Sequence, residues 1–345
     1  MRAVVMDRIG GPLEVRIVPD PTPAPGGVVV AVRATGLCRS DWHAWAGHEA
    51  LTLPHVPGHE LAGVVEAVGP EVRTWGVGDR VTVPFVCGCG TCVWCRAGDA
   101  QVCPRQEQPG FTYWGSFAEH VALPAADTNL VRLPDSVSFA AAASLGCRFA
   151  TAYRALTAVG RLEAGQWLSV IGAGGVGLSA VMIGKALGAN VIAVDRTAAA
   201  LATAEALGAD RVLVADGAQA ASAIHEITGG GSHVGVDAVG HQSACELSIL
   251  SLRRHGRHVQ VGLLPAVGGH PRVPMDRVIA WELSILGSHG MAATDYSPMM
   301  AMIDAGALRP QDLIERTISL EEAADALPAV EAASPAGITI IDPTI

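Results

Sequence analysis

The chain has 345 residues, of which 50% are hydrophobic and 16% charged, and this composition excludes an intrinsically disordered protein. Its length predicts two domains, or one domain inserted into another. The net charge of −10, without a Lys/Arg-rich run, argues against a nucleic-acid partner, because phosphate binding requires a basic face. The uncharged segment 167–184 contains a glycine cluster that opens a helix, so we expect no membrane span.

The N-terminus and the cysteines indicate the compartment. Residues 1–7 lack the basic, apolar and small-residue succession of a signal peptide, so we expect a cytoplasmic protein. In that reducing environment eight cysteines, five of them between Cys87 and Cys103, indicate metal binding or catalysis rather than disulfides.

The first part of the chain, up to about residue 127, has a short, β-like pattern. Apolar runs at 3–6, 13–18 and 28–32 are separated by Gly/Pro-rich segments. This pattern predicts a partly antiparallel β domain. Its loops contain most of the Cys and Trp residues, and loops on a rigid scaffold are where chemistry usually occurs.

From about residue 167, predicted strands and helices alternate. The sequence Ala-Leu-Gly-Ala occurs at 186–189 and again at 206–209, and its glycine is typical of a helix C-terminus. Alternation of this kind indicates a doubly wound parallel sheet in an α/β fold. The six predicted strands are 167–171, 190–194, 211–214, 233–237, 257–262 and 283–287.

A glycine-rich loop follows the first of these strands and precedes a helix. It matches G-x-G-x-x-G, in which the glycines allow a tight turn, close approach of a pyrophosphate and close packing of helix on strand. A glycine-rich packing turn is the alternative interpretation. The residues assigned to the dinucleotide are Gly172, Gly174, Gly175, Val176 and Gly177.

Asp195 stands at the end of the next predicted strand. A carboxylate there can accept both hydroxyls of the adenosine ribose and repels a 2′-phosphate, so we predict NAD rather than NADP as the cofactor. The neighbouring Arg196 is also assigned to cofactor binding, and it is the feature that favours NADP.

Four cysteines, Cys89, Cys92, Cys95 and Cys103, have the spacing C-x2-C-x2-C-x7-C. Four thiolates can enclose one tetrahedral Zn²⁺ without leaving a position for water, which describes a structural site. An iron–sulfur cluster and a disulfide knot are the alternatives. A zinc ribbon that binds nucleic acid would require an excess of basic neighbours, but Arg96 and Arg105 are here matched by Asp99 and Glu107. Cys87 lies outside the spacing and receives no assignment.

Metal ligands of a second kind are scattered over the segments 36–43, 57–60 and 146–147. No one of these segments by itself would predict a metal site. Three N/S ligands with an open fourth position would, however, form a catalytic zinc site, and a nicotinamide-binding domain in the same chain favours such a site.

Together these motifs resemble the zinc-dependent medium-chain alcohol dehydrogenases, and the resemblance covers nearly the whole chain in family order. The family's zinc signature is matched at 58–63, and Gly-Asp-Arg-Val follows at 78–81, before the four cysteines and the glycine loop. The resemblance implies a GroES-like, mostly-β catalytic domain at 1–150, a Rossmann NAD-binding domain at 151–290, and a segment, 291–345, that returns to the first domain.

The resemblance also implies residue roles. Ser40 would contact the reacting alcohol and His43 would pass its proton toward solvent, while Asp41 would orient a ligand histidine. The remaining residues assigned by resemblance are the catalytic-zinc ligands Cys38, His59 and Cys147, the adjacent Glu60, and the cofactor contacts Arg39, Thr151 and Gly262.

The substrate pocket is specific to this chain. With only 15 aromatic residues in the sequence, a concentration of them near the site favours a bulky apolar or aromatic alcohol, although core packing explains such clusters equally well. A lysine that some NAD-dependent members have five residues after the ribose-binding acid is here Ala200. The candidate pocket residues are Trp42, Trp45, Phe85, Tyr113, Trp114 and Leu263.

We therefore expect an alcohol dehydrogenase that uses NAD and two zinc ions per chain and interconverts a primary or secondary alcohol with its aldehyde or ketone. The alternatives are a polyol, amino-alcohol or biosynthetic-intermediate dehydrogenase of the same superfamily, or a non-catalytic relative that binds nucleotide. A homodimer or a homotetramer is expected.

Overall fold

The structure is a computed structural model that describes residues 1–215, 217–264, 269–330 and 337–345. These residues form two units, one of Met1–Ala150 with Gly290–Ile345 and the other of Thr151–His289. None of the described helices has both the length and the apolar character that crossing a membrane requires.

Segments rich in apolar and β-branched residues form the strands of both units. In chain order they are β1 Arg2–Met6, β2 Leu13–Ile17, β3 Val28–Leu37, β4 Glu60–Val68, β5 Arg80–Thr82, β6 His120–Leu123, β7 Val131–Arg132, β8 Trp167–Ile171, β9 Asn190–Asp195, β10 Arg211–Val214, β11 Ser232–Asp237, β12 Leu252–Gln260, β13 Ser284–Gly287, β14 Ile314–Ile318 and β15 Ile338–Ile341.

Several helices begin at side chains that cap their first turn. The Ser138 side chain accepts a hydrogen bond from the Ala141 amide, and Ser319 and Glu322 cap each other's amides. The helices are α1 Arg39–Trp45, α2 Val93–Arg96, α3 Ala126–Asn129, α4 Phe139–Ala143, α5 Ala150–Arg154, α6 Gly175–Ala186, α7 Ala198–Ala206, α8 Gly217–Thr228, α9 Gln242–Leu250, α10 Met275–Trp281, α11 Tyr296–Asp304 and α12 Leu320–Ala329. Short π-helical turns, Leu145–Phe149 and Ala155–Val159, border α5.

The first unit is built on a seven-stranded sheet in which β3 lies beside β4, β6 and β15. β3 runs five residues beyond the predicted 28–32, because residues 34–37 are buried like the strand before them. It pairs antiparallel with β4 until Gly36 lies opposite Glu60. The chain leaving β3 and the chain entering β4 are therefore neighbours, and this brings the segments around Cys38 and His59 together.

The second unit contains the predicted parallel sheet. Its six strands have the order β10-β9-β8-β11-β12-β13, and each neighbouring pair is parallel. The prediction of a doubly wound α/β domain combined with a mostly-β domain is confirmed. One predicted strand differs, because β12 begins at Leu252 rather than residue 257 and ends before Gly262. The carboxyl ends of β8, β9, β11 and β12 share one edge, where the strand order reverses.

Candidate functional site

A cluster of possible metal ligands lies where β3 ends and β4 begins. Cys38 precedes α1, His59 directly precedes β4, Glu60 is the first residue of β4, and Cys147 lies in the π-helical turn after α4. One ligand atom from each of the four lies within 4.8 Å of the others. Two sulfurs, an imidazole nitrogen and a carboxylate thus meet at one point of the first unit, and this donor set suits zinc.

Asp41 determines which nitrogen of His59 is available to a metal. Its Oδ1 accepts from His59 Nδ1 at 2.8 Å and its Oδ2 accepts from the Cys38 amide at 2.9 Å. A carboxylate only accepts hydrogen bonds, so Nδ1 carries a proton and Nε2 is the nitrogen that is left for a metal. Nε2 is buried, and it makes no hydrogen bond with any residue that the structure describes. A buried nitrogen of this kind fits a metal ligand.

The ionisable groups of the cluster affect one another. Burial disfavours a charged His59, yet the Asp41 carboxylate holds the pKa of this imidazole well above its usual range. A hydrogen bond from the Cys147 thiol, with the charge of Arg148, holds the pKa of Cys38 well below that of a free thiol. The site therefore favours a thiolate at Cys38, which is the form that binds a metal.

Glu60 is bound by Arg148, a residue that the sequence pattern did not identify. Arg148 Nε donates to Glu60 Oε1 at 2.9 Å, the Arg148 amide donates to the same oxygen at 3.2 Å, and Nη2 donates to Oε2. Burial raises the pKa of Glu60, and the Arg148 guanidinium opposes that effect. An arginine within an otherwise apolar helical stretch, directly after Cys147, was the signal that could have identified it.

The four-cysteine segment forms a second cluster of possible ligands. All eight cysteines are free thiols, so no disulfide joins these four. The Cys92 sulfur lies 3.5 Å from that of Cys95 and 3.7 Å from that of Cys103. These separations are close to the roughly 3.8 Å between thiolates that bind one zinc tetrahedrally at about 2.3 Å. The cluster is therefore already shaped for a metal ion.

Hydrogen bonds favour a charged sulfur at Cys89 and Cys92 in this second cluster, whereas burial raises the pKa of the Cys95 thiol to about 12. The backbone amide and hydroxyl of Thr91 hold the pKa of Cys89 at about 5, and the Arg105 guanidinium donates to its sulfur at 3.2 Å. Burial likewise raises the pKa of the Cys87 thiol to about 12, but among the described residues Cys87 has no second thiol beside it in a cluster of ligands. Cys87 therefore stays protonated, and it is not among the four clustered ligands.

Ser40 and His43 lie on α1, one turn apart, so they share a face of the helix. Both are half-buried. His43 Nδ1 lies 2.8 Å from Nδ1 of the exposed His48, and one of the two nitrogens donates to the other. An imidazole pair of this kind can carry a proton toward solvent.

The aromatic candidates do not all lie together. The Phe85 ring is 6.2 Å from that of His59, and the Phe111 ring, which the sequence analysis did not select, is 5.3 Å away. Tyr113 donates from its hydroxyl to the Cys87 sulfur at 3.7 Å. The exposed Leu263 belongs to the second unit. Three tryptophans instead pack in or against a hydrophobic core that includes β1 residues: Trp42, Trp45 and Trp114.

The glycine loop has the backbone that a pyrophosphate cradle requires. Gly172 has a φ of +95°, a value that L side chains rarely adopt. A Cβ at Gly177 would overlap the Gly172 carbonyl oxygen, so the first turn of α6 packs directly on the end of β8. Gly174 and Val176 lie in the same turn, at the start of α6, where helix N–H groups favour an anion.

Two carboxylates organise the loops beside this cradle. Asp195 accepts from the Ala173 amide and from the Thr197 amide, each at 2.8 Å, which places it against the glycine loop. Asp237, a residue missing from the sequence assignment, accepts from the Val239 amide at 2.8 Å and from Gln260. Its position at the carboxyl end of an apolar strand was the available signal.

The other residues assigned to the cofactor are spread more widely. Gly262 packs so closely on Gly240 that a Cβ would overlap the Gly240 amide nitrogen. Arg196 is exposed beside Asp195. Thr151 is buried at the start of the second unit, whereas Arg39 is exposed on the first unit, with its guanidinium 5.9 Å from the centroid of the Trp42 ring.

Comparisons with known proteins agree with this geometry. Residues 24–135 match the family described as "Alcohol dehydrogenase GroES-like domain", and residues 175–305 match that described as "Zinc-binding dehydrogenase". An alcohol dehydrogenase of Geobacillus stearothermophilus is 40% identical over 268 residues, covering 77% of this chain and 78% of the relative. An NAD-dependent alcohol dehydrogenase of Sulfurisphaera tokodaii is 33% identical, covering 99% and 100%.

Solved structures show the same similarity. A crystal structure of an NAD-dependent alcohol dehydrogenase superimposes with a TM-score of 0.89 at 33% identity, covering 99% of both chains. The alcohol dehydrogenase of Thermus sp. ATN1 gives a TM-score of 0.90 at 30% identity, again covering 99% of both.

Proposed function

The chain belongs to the zinc-dependent medium-chain alcohol dehydrogenases, and on this basis we propose that Cys38, His59 and Cys147 hold a catalytic zinc ion. The protein is an NAD-dependent alcohol dehydrogenase. The observation that carries the metal assignment is the buried Nε2 of His59, which has no hydrogen-bond partner among the described residues and lies beside two thiols. Asp41 fixes that nitrogen as the ligand atom.

We propose a second, structural zinc in the cluster of Cys89, Cys92, Cys95 and Cys103. The sulfur separations, the free state of all four thiols and the hydrogen bonds to Cys89 support this assignment. Four protein ligands leave no position for a substrate, so this ion would stabilise the loop rather than react.

In the proposed mechanism the substrate alcohol loses a hydride and a proton and becomes an aldehyde or ketone. Zinc supplies Lewis acidity toward the substrate oxygen, and NAD⁺ supplies the hydride acceptor. Ser40 would accept the hydroxyl proton of the alcohol, and His43 would act later in the path, nearer to solvent. His43 passes a proton to solvent, and its half-exposed position on α1 suits that role.

We propose that the second unit binds NAD through the glycine loop and Asp195. The amides of the turn around Gly174 and Val176 would receive the pyrophosphate. Asp195 already accepts hydrogen bonds beside that loop, and its charge opposes a 2′-phosphate. Arg39, Thr151, Arg196 and Gly262 remain candidate cofactor contacts by family resemblance.

For the substrate we propose a bulky apolar or aromatic alcohol. The rings of Phe85 and Phe111 lie against His59, so apolar surface borders the proposed metal site. Polyols and amino alcohols would place hydroxyl or ammonium groups against these rings, at a desolvation cost.

One assay tests the function and the substrate class together. The zinc-loaded protein is incubated with NAD⁺ and a panel of aromatic, aliphatic, polyol and amino alcohols, and NADH absorbance is followed. We expect aromatic alcohols to give the highest kcat/KM and His59→Ala to abolish turnover while the fold is retained. Faster turnover of a polyol would contradict the substrate class, and unchanged turnover by His59→Ala would contradict the metal site.

We also propose that the protein is a cytoplasmic homodimer or homotetramer. A reducing compartment would keep the thiols of the two clusters available to a metal ion. Self-association is supported by β13, which ends the sheet and exposes Ile285. Ile279 and Met275 on the nearby α10 are also exposed, and unpaired strand edges with apolar neighbours favour pairing with a second copy.

A further inference from the structure

The Glu60 carboxylate is completely buried, and Arg148 engages both of its oxygens. One oxygen accepts from Arg148 Nε at 2.9 Å and from the Arg148 amide at 3.2 Å, while the other accepts from Nη2. This two-pronged contact is the strongest way for a guanidinium to hold a carboxylate. Arg148 directly follows Cys147, so one short segment supplies both a proposed zinc ligand and the partner of Glu60.

The surrounding backbone leaves space for this ion pair. A Cβ at Gly36 would overlap Glu60 Oε2 and would lie 3.1 Å from Arg148 Nη2. Gly36 is opposite Glu60 in the pairing of β3 with β4. A glycine at this position is therefore required sterically, because the carboxylate and the guanidinium fill the space that a side chain at position 36 would occupy.

Glu60 nevertheless lies close enough to be a ligand itself. A carboxylate oxygen of Glu60 is within 4.8 Å of the donor atoms of Cys38, His59 and Cys147. A zinc site with four protein ligands is closed, whereas one with three has a position for substrate. Whether Glu60 binds Arg148 or the metal therefore decides whether the metal site is open or closed.

We propose that Arg148 is a positioning residue that holds Glu60 away from the catalytic metal and so keeps one coordination position open. This role rests on the proposed metal site. Without Arg148, the buried carboxylate would lose its counter-charge, and the nearest cation available to it would be the metal. Arg148 would thus act on catalysis through Glu60 rather than by touching the substrate.

The test uses protein with Co²⁺ in place of the catalytic zinc, because thiolate–cobalt absorption reports the ligands directly. Imidazole, a small ligand for an open metal position, is titrated and the visible spectrum is recorded. We expect Arg148→Gln to bind imidazole about tenfold or more weakly than the unmodified protein, the range typical of losing a group that orients a metal ligand. The Glu60→Gln/Arg148→Gln double variant should recover imidazole binding, because an amide is a weaker metal ligand than a carboxylate.

Two further variants control the experiment. Arg148→Lys keeps the buried charge compensated but lacks the two-pronged contact, so it should fold and bind imidazole with intermediate affinity. Arg132→Gln removes an arginine that pairs with Asp79 on the surface of the same unit, and it should bind imidazole normally.

The possible failures are distinguishable. Absence of any imidazole-dependent change in the thiolate–cobalt spectrum of the unmodified protein would show that the proposed metal site is wrong, because the closed four-cysteine cluster has no position for imidazole. Intact absorption with unchanged imidazole binding in Arg148→Gln and Arg148→Lys would overturn the role of Arg148 alone. Weak imidazole binding in the double variant would also overturn it, since the loss would then not depend on the Glu60 carboxylate.

Discussion

At the scale of single residues, Asp41 shows how one carboxylate organises a site. Its two oxygens accept from His59 Nδ1, the Cys38 amide and the Gly58 amide. These contacts join the end of β3 to the start of β4 and leave His59 Nε2 to face the sulfurs. Several donors fix the orientation of this carboxylate, so it can orient a ligand histidine without itself binding the metal.

The proton path is tested by Ser40→Ala and His43→Gln. We expect Ser40→Ala to remove most alcohol oxidation while zinc and NAD binding persist, because the alcohol loses its proton acceptor. His43→Gln should cost about tenfold or more near neutral pH, with recovery at higher pH or with added small bases, since solvent can replace part of a general base. pH–rate profiles measure both effects, and unchanged profiles in both variants would eliminate the relay.

Cofactor choice is tested by Asp195→Ala. The carboxylate lies against the glycine loop, where it would repel a 2′-phosphate. We expect the ratio of kcat/KM for NAD⁺ to that for NADP⁺ to fall about tenfold or more, which corresponds to roughly 1.4 kcal/mol. Arg196→Ala is the matched control and should lower any residual use of NADP⁺. Equal use of both cofactors by the unmodified enzyme would show that Arg196 outweighs Asp195.

At the scale of elements, the four-cysteine loop depends on its proposed zinc, because its short helix α2 buries none of its residues. Cys95→Ser should reduce the zinc content from two ions to one per chain. We expect its Tm to fall by about 3 °C, which corresponds to a loss of roughly 2 kcal/mol in a chain of this size. Cys87→Ser is the control and should retain both ions. Metal analysis and calorimetry decide the outcome, and an unchanged zinc content in Cys95→Ser would refute the assignment.

The packing of α6 on the parallel sheet includes an ion pair whose effect depends on pH. Burial alone would raise the pKa of Asp210, but Lys185 and the Val191 amide, which donate to it at 2.7 Å each, lower it below 3.8. An aspartate whose pKa is lower in the folded than in the unfolded chain stabilises the fold at any pH above its unfolded-state pKa. This stabilisation is lost as the pH falls through the folded-state pKa.

Asp210→Asn should therefore lower the free energy of unfolding by about 1 kcal/mol near pH 7. Thermal unfolding followed from pH 7 to pH 3 measures the difference from the unmodified protein. That difference should shrink below about pH 4, because the unmodified protein then also loses the charge. A difference that stays constant over this range would show that shape, not charge, explains the loss.

At the scale of the whole molecule, the net charge of −10 opposes association, so a specific contact must outweigh it. Ile285→Arg on β13 should convert the proposed oligomer to a smaller species, as measured by light scattering after size-exclusion chromatography. Val214→Arg is the matched control, because it places the same charge at an exposed position of β10, the other edge strand of the sheet. Dissociation by Val214→Arg but not by Ile285→Arg would place the interface at β10 and contradict the proposed interface at β13.

Features that depend on neighbours in sequence could be predicted before folding was considered. The glycine loop, the four-cysteine spacing and the alternation of strands and helices are local, because turn geometry, ligand reach and side-chain periodicity act over a few residues. The parallel sheet follows from such patterns. The length of β3 does not, because its last residues are buried only after β4 and β15 pair with them.

Contacts between distant residues were decided by tertiary structure. Glu60 and Arg148 are 88 residues apart, and the sequence analysis selected the glutamate but not its partner. Phe111 reaches His59 from a separate loop, whereas Trp42 and Trp45 pack in or against the hydrophobic core. No local pattern encodes such pairs, because the free energy of burying a charge or a ring depends on which groups the folded backbone brings beside it.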